Sequence, residues 1–88
     1  MNKKFNVSVL GGGSFGTVLA NLSAKNGLDT HLWVRDSELA LKINSESANR
    51  EYHPELKLSK KIFASEVLSE CVCNADLIFI ATPSSIIE

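Results

Sequence analysis

The sequence predicts an α/β chain built as a doubly wound parallel sheet, and three observations predict it. Short β-rich runs alternate with stretches of helical periodicity in the order β-α-β-α-β-α-β. The final run, "LIFIA" at 77–81, is apolar without a break, the habit of a parallel strand covered on both faces. A glycine-rich junction, "GGGSFG" at 11–16, falls where the first strand gives way to the first helix. Right-handed crossovers would then arrange about four strands in the spatial order 3-2-1-4.

Each element has its own reason. Phe5, Val7, Val9 and Leu10 form the first strand, which ends at Gly11. Phe15, Val18, Leu19 and Leu22 then fall at i, i+3, i+4 and i+7, the spacing of one buried helix face. Asn26-Gly27 stops that helix, with Gly27 suited to the left-handed position beyond its end. "THLWV" at 30–34 is β-branched and aromatic enough for a second strand. Asp36 or Ser37 can cap a second helix that turns Leu39, Ala40 and Ile43 inward. Residues 44–60 are polar, non-periodic and broken by Pro54, and read as a long surface connection with at most one helical turn. "KIFA" at 61–64 reads as a short edge strand. Ser65 is placed to cap a short helix with Val67, Leu68, Cys71 and Val72 on one side. The last strand stops at Thr82-Pro83, and "SSIIE" reads as the opening of another helix, so the chain is expected to be cut rather than finished.

Bulk properties narrow the function. Eighty-eight residues make one small domain or part of a larger one, and 44% hydrophobic with 22% charged residues argues for a globular chain. Nine Lys/Arg against ten Asp/Glu give a net charge of −1 with no basic stripe, so phosphate-neutralising nucleic-acid binding has little support. Cys71 and Cys73 have neither redox-pair nor zinc-knuckle spacing, and no metal site is expected. No stretch approaches a membrane span or a signal-peptide core, which points to a soluble, cytoplasmic protein.

The glycines carry the chemistry. Gly11-x-Gly13-x-x-Gly16 directly follows a strand and opens a helix, the setting of the Rossmann-type dinucleotide fingerprint. The first glycine permits the sharp turn, the second lets a pyrophosphate approach the backbone, and the third lets helix and strand pack closely. Amides of the first helical turn lack intrahelical partners and favour an anion at the same place. The other reading of this junction is an ordinary structural turn.

The end of the second strand bears on which dinucleotide binds. An acid near that point contacts the ribose in NAD proteins, whereas an arginine accommodates the 2′-phosphate of NADP. Here Val34 stands at the expected place of the acid, followed by Arg35 and Asp36. Arg35 favours NADP over NAD, against the plain alternative of a solvated surface charge. Asp36 could reach a ribose or cap the next helix.

Other polar residues read as structural. His31 is a half-exposed strand residue, His53 a solvated one, Trp33 a residue packed between sheet and helix with an adenine-pocket role as the lesser option, and Asp76 a turn or cap at the far end of the sheet. Ser14, Ser84 and Ser85 have no His–Asp partners that would make a hydrolase nucleophile, and Lys60-Lys61 reads as a solvated pair.

Together "VLGGGSFGTVLANLSAKNG", "LWVRD", "IN", Asn49…Tyr52-x-Pro54 and "DLIFIATPS" resemble the amino-terminal part of bacterial NAD(P)-dependent glycerol-3-phosphate dehydrogenase. The resemblance spans nearly the whole chain. It implies reversible hydride transfer between NAD(P)H and dihydroxyacetone phosphate, giving sn-glycerol 3-phosphate for phospholipid synthesis. It also implies that Ser14 and Phe15 lie against the cofactor's phosphates, Arg35 beside the adenosine ribose, and the loop containing Pro83 near the dinucleotide. Gly12 and Thr82 depart from the family's commoner residues without threatening the site. The family's catalytic lysine and substrate contacts lie downstream, so residues 1–88 are expected to be part of a cofactor-binding domain without catalytic residues and inactive alone. The expected partners are NAD(P)(H), the parent's triose phosphate substrates, and a second copy in a homodimer. Two rivals stand beside this reading: a nucleotide-sensing module without chemistry, and a dehydrogenase of another substrate.

Overall fold

The computed structural model describes residues 5–11, 13–50 and 53–81, apart from the side chains of Ser14, His53 and Pro54. The main sheet contains β1 (Asn6–Leu10), β2 (Asp29–Trp33), β5 (Ile62–Ser65) and β6 (Leu77–Ile80). All pairings are parallel, and the spatial order is β5-β2-β1-β6. Renumbered within this sheet, that is the expected 3-2-1-4.

Side chains alternate across a strand, so the register separates two faces. Val7 and Val9 lie beside Thr30 and Leu32, and these beside Ile62 and Ala64; all six are buried. Helices α1 (Ser14–Lys25) and α2 (Ser37–Glu46) cover that face with Ala20, Ala24, Leu39, Ala40 and Ile43. The opposite face carries Ser8, His31 and Phe63 in one row. The short α3 (Leu68–Val72) lies there, and Ser8 Oγ donates to the Cys71 carbonyl. Helices on both faces of a parallel sheet make the doubly wound arrangement.

The expected inward stripe of α1 is corrected by the structure. Phe15 and Leu22 are exposed, whereas Gly16, Thr17, Ala20, Asn21 and Ala24 are buried. Small residues four apart let the helix lie close on β1 and β2; larger ones would hold it away. The C-terminus behaves as expected. Gly27 has φ +87°, its N–H bonds Ala24 O at 3.0 Å, and Leu28 N–H bonds Ser23 O at 3.2 Å, a Schellman closure.

Residues 44–60 are not a featureless connection. Ser47, at φ 54°, ends α2, and β3 (Ala48–Asn49) pairs antiparallel with β4 (His53–Lys57). Ala48, Asn49 and Leu58 are buried. Anchors from α1 hold this hairpin down: Asn49 Nδ2 donates to Thr17 Oγ1 at 2.7 Å, and Ser59 N–H donates to Asn21 Oδ1 at 2.9 Å. Thr17 and Asn21 are one helical turn apart, so they form a buried polar stripe aimed at the connection. Lys60 and Lys61 are both exposed, as expected, and Lys61 Nζ makes a surface contact 3.4 Å from Asp29 Oδ1.

Around α3 and β6 burial is lighter than expected. Val67, Leu68, Leu77, Ile78 and Ile80 are exposed, although Cys71 is buried and Phe79 packs on the core. Ser65 does not occupy the cap position of α3, which belongs to Val67. It acts one step away: its Oγ accepts from Val67 N–H at 3.0 Å and donates to Glu70 Oε1 at 3.1 Å.

Candidate functional site

The site lies where β1 ends and α1 begins. Backbone bonds gather three chain segments at this corner: Gly11 N–H donates to Trp33 O, and Ala81 N–H to Leu10 O, both at 2.9 Å. The ends of β2, β1 and β6 therefore meet at the glycine turn. In this topology β1 and β6 flank the point where the winding reverses, the usual place for a ligand crevice.

Three glycines differ in what they accommodate. Gly11 has φ +126°, and a Cβ there would stand 2.6 Å from Ala81 O, so both the turn and the approach of β6 require its absence. A Cβ on Gly16 would fall 1.9 Å from Gly11 O, so α1 could not begin this close to the strand. Gly13 is different. Its φ of −72° suits any residue, and a Cβ there would meet nothing within 4 Å. Nothing within the described chain accounts for a bare backbone at Gly13.

Gly13 is also the N-cap of α1, and no described side chain caps the helix. Helix starts ordinarily favour Ser, Thr, Asp or Asn, whose oxygens satisfy a first-turn amide. An uncapped start leaves those amides and the positive end of the helix dipole directed into the open space at Gly13. Of the residues expected here, Ser14 opens the helix and Phe15 is 70% exposed in its first turn. Pro83 and Gly12 lie outside the described residues.

The end of β2 sorts its three candidates. Val34 is buried, and its N–H donates to Ser65 O at 3.0 Å. Asp36 caps α2, its Oδ1 accepting from Glu38 N–H at 3.0 Å. Arg35 is exposed and has no ion pair among the described residues. It follows Trp33, whose carbonyl accepts from Gly11 N–H, by two positions and so lies at the same end of the sheet as the glycine turn.

The remaining candidates are structural. Trp33 Nε1 donates to Glu66 O at 2.9 Å, and His31 meets Phe63 edge-on at 5.7 Å. Asp76 Oδ2 accepts from Asn6 N–H at 2.8 Å, tying the far end of β1 to the start of β6. Burial, helped by Glu70, pushes the Cys71 thiol up to about 11, so it is a neutral core group at neutral pH. Among the described residues no cluster of His, Cys, Asp or Glu could hold a metal ion. No helix among them is long and apolar enough to cross a membrane.

Two residues of the corner had no role assigned from the sequence. Thr17 Oγ1 donates to Gly13 O at 2.8 Å and accepts from Asn49, and both residues are fully buried. Asn49 sits in a polar stretch with no periodicity, so only its place in the Asn…Tyr-x-Pro pattern marked it out.

A parallel sheet in the order β5-β2-β1-β6, with a glycine turn at the foot of α1, puts the chain in the Rossmann-type class of α/β domains. Comparison with known proteins narrows this class. The profile described as NAD-dependent glycerol-3-phosphate dehydrogenase N-terminus matches residues 6–88. A glycerol-3-phosphate dehydrogenase of the NAD(P)+ type from Acinetobacter baumannii is 47% identical over 78 residues, covering 89% of this chain and 22% of that protein. Its counterpart from Alcanivorax borkumensis is 44% identical over 82 residues, covering 93% and 24%. Among solved structures, glycerol-3-phosphate dehydrogenase from Coxiella burnetii superposes with a TM-score of 0.83 at 30% identity, over 92% of this chain and 25% of that one. The Saccharomyces cerevisiae enzyme gives 0.87 at 29% identity, over 96% and 28%. The chain belongs to the NAD-dependent glycerol-3-phosphate dehydrogenase family and corresponds to its N-terminal part. It spans about a quarter of the length of these relatives.

Proposed function

We propose that this chain is the cofactor-binding part of an oxidoreductase that interconverts dihydroxyacetone phosphate and sn-glycerol 3-phosphate with NAD(P)(H). The relatives' names supply the activity, and the open space at Gly13 supports the cofactor's place. The residues fit the group: a bare backbone, uncapped amides and an exposed arginine at the same end of the sheet suit a dinucleotide's pyrophosphate and adenosine end. When bound, the nicotinamide supplies or accepts the hydride. The chain's own contribution is to hold and orient. Gly11 and Gly16 bring α1 to the strand end, Ser14 and Phe15 present amides, and Arg35 is assigned to the 2′-phosphate. Pro83 belongs to the same proposed site. In this reading residues 1–88 form the beginning of the NAD(P)-binding domain, and the chain alone does not turn over triose phosphate. A homodimeric, cytoplasmic parent belongs to the same reading.

Gly13→Val fills the open space without a clash against the described residues, so it separates binding from folding. Titrating NADPH into the chain with amide NMR detection should shift Gly13, Ser14 and Phe15, and the variant should lose those shifts while keeping its fold. Shifts elsewhere, or unaltered binding by the variant, would remove the pyrophosphate from this corner. Arg35→Ala should weaken NADPH by about tenfold and NADH by less than about threefold, a loss suited to one exposed charge-assisted contact. Calorimetry showing equal losses for the two nucleotides would dismiss the 2′-phosphate assignment.

A further inference from the structure

We propose that Asn49 is a positioning residue for the dinucleotide's pyrophosphate, acting through Thr17 on the Gly13 peptide. The inference rests on the dinucleotide reading above and extends it to the β3–β4 hairpin.

The path is short and buried. Asn49 Nδ2 donates to Thr17 Oγ1 at 2.7 Å, across 32 positions of sequence. Thr17 Oγ1 donates in turn to Gly13 O at 2.8 Å, and Thr17 N–H reaches the same oxygen at 2.9 Å. Both side chains are fully buried, and no buried side-chain nitrogen or oxygen among the described residues lacks a partner.

The chemistry gives this path a direction. A threonine hydroxyl has one proton. With an amide N–H donated onto its oxygen, that proton is turned toward Gly13 O. The doubly bonded carbonyl then points down the helix. A trans peptide is planar, so its N–H points the opposite way. The amide in that plane belongs to Ser14, the first residue of α1, and it is directed out of the helix start beside the open space at Gly13. Gly13 has no side chain to fix this peptide, so Asn49 and Thr17 fix it from below. Preset amides lower the ordering cost when an anion binds.

The test uses two probes. NADPH carries the pyrophosphate, and adenosine 2′-phosphate carries the other end of the adenosine without it. Thr17→Val keeps the shape but removes the hydroxyl; Thr17→Ser keeps the hydroxyl; Asn49→Leu removes the donor. In the otherwise unchanged chain, Thr17→Val and Asn49→Leu should each raise the Kd for NADPH by about tenfold while leaving adenosine 2′-phosphate within about twofold. Both should move the Ser14 amide resonance without ligand, and Thr17→Ser should restore resonance and affinity. If Asn49→Leu fails to fold, Thr17→Val decides. NADPH affinity unchanged in Thr17→Val, or equal losses for both probes, would overturn the proposal and leave the dinucleotide reading standing. No NADPH binding by the unaltered chain would overturn both.

Discussion

Among the described residues, the two outer strands of the sheet, β5 and β6, are both short, apolar and paired on one side only. On β5 the outer side is closed by one side chain. Asn44 of α2 receives Ala64 N–H on Oδ1 and donates Nδ2 to Ala64 O, both at 2.8 Å, as a neighbouring strand would. β5 also buries Ile62, Ala64 and Ser65. On β6 no strand among the described residues pairs the outer side, and Ile80 is 72% exposed. Sheet edges invite further pairing unless they are covered or blocked. The difference teaches that an edge is closed by what packs beside it, since the apolar character of the two strands is similar.

The same substitution at both edges tests this contrast most strongly. Ile62→Ala should cost about 2–4 kcal/mol in chemical denaturation, because it opens a cavity under α2. A loss below about 1 kcal/mol would mean that the β5 edge is not closed as described. Asn44→Ala should cost about 1–2 kcal/mol, since two part-buried backbone groups of Ala64 lose their partner. It should also speed hydrogen exchange at Ala64 ahead of Leu32.

The layer beneath α3 gives a pH-dependent signal. The folded Cys71 thiol is raised from 9.0 to about 11, so the unfolded chain ionises first as pH rises. This contribution is fully present below about pH 9 and declines toward pH 11. Stability should fall across that window in the parent chain and less so in Cys71→Ala, when each is followed by thermal unfolding. At neutral pH a thiol reagent should label exposed Cys73 well before buried Cys71. The smallest effect belongs to the open edge: Ile80→Ala should change stability by no more than about 0.5 kcal/mol. A larger loss would show β6 packed more tightly than its exposure indicates.

The glycine fingerprint was legible because three spacings and a strand-to-helix junction are local features. The exposure of Arg35 just past the end of β2 was legible for a related reason, because a strand end is a local feature too. The inward face of α1 was misread because periodicity weighs apolarity, while close approach to a sheet selects small residues such as Ala20 and Ala24. The hairpin at 48–57 was missed because Asn49 is buried by a partner 32 positions away, and no local pattern announces such a contact.

By itself, the sequence determined the alternation of strands and helices, the parallel order of the sheet and the place of the glycine turn. These follow from short-range sterics and from crossover handedness, which act along neighbouring stretches of chain. Only the tertiary structure decided which apolar residues are covered, which edge is closed and which buried amide holds the Thr17 hydroxyl. Each of those depends on atoms brought together from distant parts of the chain, where packing geometry, rather than residue type, sets the outcome.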